Sequence, residues 1–126
     1  MAGEQILVVE DNEKSMKLFR DVLQATGYRV LAATTGGRAV ELATEYVPDL
    51  VLMDIQLPDI NGIVALGRLR ADEHTASIPV LALTAQAMEG DGERFLAAGF
   101  DGYLSKPVNV VALVDTVKQH CNRRGR

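Results

Sequence analysis

Short apolar runs alternate with longer amphipathic stretches five times along the chain. The runs are Ile6–Val9, Tyr28–Ala33, Leu50–Met53, Val80–Leu83 and Gly102–Leu104. The first, third and fourth contain no polar residue, the pattern of strands covered on both faces. In the stretches between and after them, apolar residues recur at helical spacing. The spacing predicts a helix from about Asn12 to Thr26 carrying Met16, Phe19, Val22 and Leu23. A second runs over Gly36–Tyr46 with Val40, Leu42, Ala43 and Val47 inward, and a third from Gly62 to about Ala71 with Ile63, Leu66 and Leu69. A fourth runs from about Met88 to Ala98, and a fifth from about Asn109 to His120 with Val110, Leu113, Val114 and Val117 inward. Asn12 and Thr35 are suitable N-caps, Gly27 and Gly99 suitable stops, and Pro48 ends the second helix. Asp72–Ser77 reads as a polar connection, with His74 in that loop and His120 on a helix surface.

Strand–helix alternation with short connections implies right-handed βαβ units and a parallel sheet with helices on both faces. No internal repeat, low-complexity segment or linker interrupts it. The expectation is one domain over residues 1–126 with no output domain.

Composition narrows the function classes. Hydrophobic residues make up 48% and charged residues 24%, as in soluble globular chains. No apolar run approaches the roughly 20 residues of a membrane span, and MAGEQ has no signal-peptide pattern. Cys121 is the single cysteine, which excludes an internal disulfide and suits a reducing cytoplasm; its place is that of a small apolar residue in the last helix. A net charge of -4 argues against nucleic acid as a partner, and the basic tail Arg123–Arg126 is too short to reverse that. The expected location is cytoplasmic, with no membrane partner.

The chemistry lies at the strand ends. The first strand ends in Glu10 and Asp11, the third in Asp54, the fourth in Thr84 and the fifth in Lys106. In a parallel sheet these ends share one edge, where open α/β sheets bind ligands. Glu10, Asp11 and Asp54 would repel one another, and a divalent cation with Lys106 would balance their three charges. Carboxylate oxygens with water are the ligands Mg²⁺ prefers, and the backbone carbonyl of Gln56 could complete the shell. Such a site suits phosphoryl transfer: Asp54 as the nucleophile, Lys106 as a point charge on phosphate and Thr84 as a hydroxyl donor. Each residue alone is ordinary. The coincidence of four strand ends carries the reading.

Val8–Asn12 (VVEDN), Leu52–Gly62 (LMDIQLPDING), Leu83–Ala85 (LTA) and Ser105–Pro107 (SKP) resemble the receiver domain of two-component response regulators over essentially the whole chain. Met16–Phe19 (MKLF) and Met88–Phe95 (MEGDGERF) resemble single-domain members of that family that act in cell-cycle or developmental control. The resemblance implies a flavodoxin-like (CheY-like) α/β three-layer sandwich, with a five-stranded parallel sheet of order 2-1-3-4-5 and five helices. It implies Mg²⁺, with Mn²⁺ as a substitute, and phosphorylation of Asp54 by a sensor histidine kinase or a histidine phosphotransfer protein. It also implies a cis Lys106–Pro107 bond, a switch in which Thr84 and Tyr103 move together, and a downstream protein bound through the fourth helix, fifth strand and fifth helix. The chain would thus be a signalling phosphoacceptor and not an enzyme acting on another substrate, although it would assist its own phosphorylation and dephosphorylation. The glycine-rich run Glu89–Gly92 suits a segment that shifts. Gln56 and Gln86, each two residues past a site residue, are expected to influence phosphate lifetime.

Three rival readings are weaker. Aspartyl-nucleophile phosphatases usually place a second acid two residues after the nucleophile, where this chain has Gln56. A flavodoxin needs a phosphate-cradling loop after the first strand, where Glu10 and Asp11 would repel phosphate. A scaffold that is never phosphorylated would not need an intact acid pair with Asp54, Thr84 and Lys106.

Overall fold

Neighbouring residues of a buried strand point to opposite faces. Ile6 and Val8 therefore enter one hydrophobic core, and Leu7 and Val9 another. A computed structural model describes residues 3–85 and 91–124. Its elements are β1 (Gln5–Val9), α1 (Glu13–Thr26), β2 (Arg29–Ala33), α2 (Gly36–Tyr46), β3 (Leu50–Asp54), α3 (Gly62–Ala71), β4 (Val80–Thr84), α4 (Asp91–Ala98), β5 (Gly102–Ser105) and α5 (Val110–Arg124). All strand pairs are parallel and the order is β2-β1-β3-β4-β5. The expected α/β architecture and strand order are those observed.

Helices α2, α3 and α4 cover one face. Leu42, Leu66, Leu69 and Phe95 meet Leu7, Val51, Met53, Val80 and Ala82 there. Helices α1 and α5 cover the other, where Phe19, Leu23, Leu113 and Val117 meet Ile6, Leu50, Leu52, Leu81 and Leu83. Each fully buried Leu or Phe contributes roughly 1.5–3 kcal/mol of transfer free energy. The central strands β3 and β4 are buried throughout, which is why their sequences are unbroken apolar runs.

The predicted punctuation is present. Asn12 Oδ1 accepts from the Ser15 amide, and Thr35 Oγ1 from the Arg38 amide. Gly27, at φ 106°, closes α1 with its N–H on the carbonyls of Leu23 and Gln24. Gly62 allows a close approach: a Cβ there would lie 2.5 Å from the Asp54 carbonyl oxygen.

Three expectations need correction. Val47 does not face inward; it is the C-cap of α2, exposed, in the left-handed region at φ 45°. Its register follows the helical period, but the helix ends one residue before it. Val110 lies exposed at the start of α5, because the buried stripe of that helix is Leu113, Val117, His120 and Cys121. Helix α5 accordingly extends beyond His120. His120 itself is buried, its ring nitrogens 2.9 Å from the Thr116 carbonyl and 3.3 Å from that of Asp101. The connection after α3 is the expected polar loop, with Thr75 buried in it and donating to the Leu69 carbonyl at 2.6 Å. The expected start of the fourth helix at Met88, Gln86, the first part of Glu89–Gly92 and the tail residues Gly125 and Arg126 lie outside the described residues.

A β-branched residue in the left-handed region costs on the order of 1–2 kcal/mol. Val47→Asn, which tolerates that region, is expected to raise stability by about 1 kcal/mol. Urea denaturation checks this; an unchanged or lower midpoint would contradict the strain.

Candidate functional site

The sheet brings the predicted residues to one edge. Residues Val9 and Met53 are register partners, as are Asp54 and Leu83, and Thr84 and Ser105. The residues after β1 and β5 therefore lie beside the tips of β3 and β4. Carboxylate oxygens of Glu10, Asp11 and Asp54 lie within 4.8 Å of one another. Lys106 joins them, with Nζ 2.6 Å from Glu10 Oε1 and 2.9 Å from Asp54 Oδ2. The other oxygens of Glu10 and Asp54 are held by backbone amides. The Asn12 N–H donates to Glu10 Oε2 at 3.0 Å, and the Gln56 N–H to Asp54 Oδ1 at 3.0 Å.

Burial is uneven. Glu10 and Asp54 are buried, whereas Asp11 is exposed and forms the open side of the cluster. A groove of about 320 Å³ reaches Glu10 and Asp11 between Met16, Lys17 and Arg20 of α1 and Thr34 after β2. Thr84 is buried at the end of β4, and its carbonyl accepts from the Lys106 amide at 2.7 Å. The Lys106–Pro107 peptide bond is cis. Tyr103 lies on β5 with an exposed side, its ring 6.1 Å from that of Phe95. Gln56 is exposed next to Asp54. Thus Glu10, Asp11, Asp54 and Lys106 form one contacting group, Thr84 and Gln56 flank it, and Tyr103 stands apart on the outer strand.

The electrostatics carry a surplus of negative charge. Burial pushes the Glu10 carboxyl above its ordinary 4.5, and the charge of Asp54 adds to that; bonds from Lys106 and the Asn12 amide pull the other way. Burial disfavours the Lys106 ammonium, but hydrogen bonds and charge from Glu10 and Asp54 outweigh it and hold its pKa above 10.5. The two directions agree physically. Lys106 has two carboxylate partners, while Glu10 shares one ammonium with a second carboxylate. Among the described residues, the cluster's three carboxylates against one ammonium leave two negative charges, matching the charge of one divalent cation. The oxygen-only donors fit Mg²⁺.

Sequence reading passed over Asp59. Its two carboxylate oxygens accept from the amides of Gly36 and Gly37 at 2.8 and 2.9 Å. Those bonds pull its pKa down to about 2, the Gly37 amide contributing most. An acid in a turn and two glycines at a helix start were both visible, but nothing local paired them across 22 positions.

Comparison with known proteins settles the family. A profile of the response regulator receiver domain matches residues 6–118. The chain belongs to the response regulator receiver family. This receiver is 45% identical to the polar-differentiation response regulator DivK of Brucella ovis over 117 residues, covering 93% of this chain and 95% of that one. Its structure is similar to a response regulator from Chloroflexus aurantiacus, with a TM-score of 0.90, 31% identity and coverage of 95% and 98% of the two chains. It is also similar to the receiver domain of a Pseudomonas aeruginosa sensor histidine kinase, with a TM-score of 0.88, 37% identity and coverage of 96% and 99%. That neighbour holds a magnesium ion coordinated in its active-site cleft. Among the described residues of this receiver, no helix is long and apolar enough to cross a membrane.

The raised Glu10 pKa predicts a cation-dependent titration. Because folding raises it, ionised Glu10 costs stability above its folded midpoint, and that cost disappears as pH falls below 4.5. The Glu10 carboxyl ¹³C resonance is expected to titrate above 4.5. Mg²⁺ should lower the midpoint, and Lys106→Met should raise it. A midpoint unmoved by Mg²⁺ would exclude Glu10 from the metal's surroundings.

Proposed function

We propose that this receiver accepts a phosphoryl group on Asp54 in a Mg²⁺-dependent reaction and signals by phosphorylation-dependent binding to another protein. The single observation that carries the reading is the Asp54 carboxylate. It is buried at the end of β3, gripped by the Gln56 amide and by Lys106, beside two further carboxylates. In the step itself an Asp54 oxygen attacks phosphorus and forms an acyl phosphate O–P bond. The bond from phosphorus to the donor breaks, and its electron pair leaves with the donor. A sensor histidine kinase or a histidine phosphotransfer protein would donate from a phosphorylated imidazole, whose ring nitrogen takes a proton after leaving.

Glu10, Asp11, Asp54 and the Gln56 carbonyl would hold Mg²⁺, or Mn²⁺ in its place. The cation would supply charge neutralisation for the transferring group. Lys106 is already oriented by Glu10 and Asp54 and can move onto a phosphate oxygen. The Thr84 hydroxyl, at the end of the adjacent strand, can donate to another. Tyr103 would report the movement of Thr84 to the surface formed by α4, β5 and α5. Leu96, Tyr103, Val110 and Val111 are exposed on those elements, and such an apolar set suits a protein partner. By analogy with DivK, the pathway served is cell-cycle or developmental control. Gln56 and Gln86 would tune how fast water removes the phosphate.

Two predictions test these roles. Acetyl phosphate with Mg²⁺ is expected to shift the protein on a phosphate-retarding gel, and Asp54→Asn or chelation of Mg²⁺ is expected to abolish the shift. An equal shift in the variant would sink the assignment. Thr84→Ala should still take up phosphate but lose the phosphorylation-induced amide shift changes at Tyr103 and along α5; unaltered changes would remove the Thr84–Tyr103 coupling.

A further inference from the structure

The loop from Ile55 to Asn61 carries the Gln56 amide that fixes Asp54 and the Gln56 carbonyl assigned to the metal. Its two ends are pinned by backbone. The Ile55 N–H donates to the Leu83 carbonyl at 3.0 Å, and the Gly62 N–H donates to the Ile55 carbonyl at 2.8 Å. Its middle is pinned from a different element. Asp59 reaches the first turn of α2, where Oδ1 accepts from the Gly36 amide at 2.8 Å and Oδ2 from the Gly37 amide at 2.9 Å. These amides have no partner within the helix, because the first turn lacks preceding carbonyls. The contact is close-fitting. A Cβ on Gly36 would stand 2.5 Å from Ile60 Cγ1, and one on Gly37 would stand 3.2 Å from Asp59 Oδ2. Leu57 and Ile60, on either side of the clamp, pack against the core beneath α2 and α3.

We infer that Asp59 is a positioning residue for the phosphoacceptor site: by locking the loop to the N-terminus of α2, it sets the Gln56 amide on Asp54 and the direction of the Gln56 carbonyl. The inference rests on the proposed phosphorylation of Asp54, but the clamp can be read without it. Asp59 touches neither phosphate nor metal. It acts through the peptide group three residues earlier. Its two-oxygen grip has a directional requirement that a single oxygen meets only in part; Gly36 leaves room for Ile60, and Gly37 for the Asp59 carboxylate.

The test compares wild type, Asp59→Asn, Asp59→Ala and Gly36→Ala in three measurements. These are amide hydrogen exchange at Gln56 in metal-free protein, Mg²⁺ affinity from amide shifts, and the rate of phosphorylation by acetyl phosphate. Loosening a reacting group by about an ångström costs up to roughly a hundredfold in rate. Asp59→Ala is therefore expected to weaken Mg²⁺ binding and slow phosphorylation by about tenfold each, with Gln56 exchange faster by a similar factor. Asp59→Asn, which keeps one acceptor oxygen, should fall between it and wild type. Gly36→Ala, which forces Ile60 away, should reproduce the alanine effect without altering any charge. Loss of stability with Gln56 exchange and Mg²⁺ affinity unchanged would overturn the inference. So would an equal loss in Asn and Ala that about 0.5 M salt removes, since a simple distant charge behaves that way. Wild-type protein that takes up no phosphoryl group overturns the proposed function instead, and the clamp then stands or falls on Gln56 exchange.

Discussion

Three carboxylates sit at one edge of the sheet with a single lysine between two of them. A pair of carboxylate charges 4.8 Å apart repels by roughly 3 kcal/mol at an effective dielectric constant of about 20. Lys106 and the Asn12 and Gln56 amides offset part of that repulsion but do not by themselves hold the three carboxylates together. The five parallel strands do, through two apolar cores of which Leu7, Leu52, Met53 and Leu81 are fully buried members. Burial on both faces fixes register, because a slip of one residue would turn every side chain to the wrong core. Register in turn fixes Asp54 beside Leu83 and the segment after β1 beside the tip of β3.

The surplus charge is what would make the site respond to a cation or a phosphoryl group. A balanced ion pair would have little reason to change on binding a cation. Here Lys106 is shared by Glu10 and Asp54, and the carboxylates remain underneutralised. A divalent cation would relieve the repulsion, and a phosphoryl group on Asp54 would change the balance again. Lys106 can exchange partners without leaving the site, since each of its contacts lies within 3 Å. Thr84 shares its strand edge, and β5 connects that edge to the exposed apolar residues of α4, β5 and α5.

Outside the charge cluster, long-range hydrogen bonds tie the connecting segments to the sheet. Arg70, at the end of α3, donates to the carbonyls of Ala76, Ile78 and Gly99 and to the Asp101 carboxylate. It fastens the loop before β4 to the turn before β5. Asp59 does the corresponding work at the opposite edge, where it joins the loop after β3 to α2. Both are polar residues in connecting or terminal positions, and both bridge elements far apart in sequence.

Periodicity and punctuation along the chain determined the elements, the parallel α/β class and which strand ends carry Glu10, Asp11, Asp54, Thr84 and Lys106. That much was legible because burial on both faces writes an unbroken apolar run, and because helix caps are local chemistry. Strand order in the sheet came from family resemblance, as neighbouring strands leave no mark on one another's composition. Only the tertiary structure decided that His120 is buried, that Val47 caps a helix instead of packing inward, and that Asp59 grips Gly36 and Gly37. A helical repeat gives the facing of a residue but not where the helix stops, and it does not reveal a carbonyl arriving from another element. The Asp59 clamp lies further still from the sequence. Its partners are backbone amides, which every residue but proline possesses, so no side-chain pattern could have pointed to them.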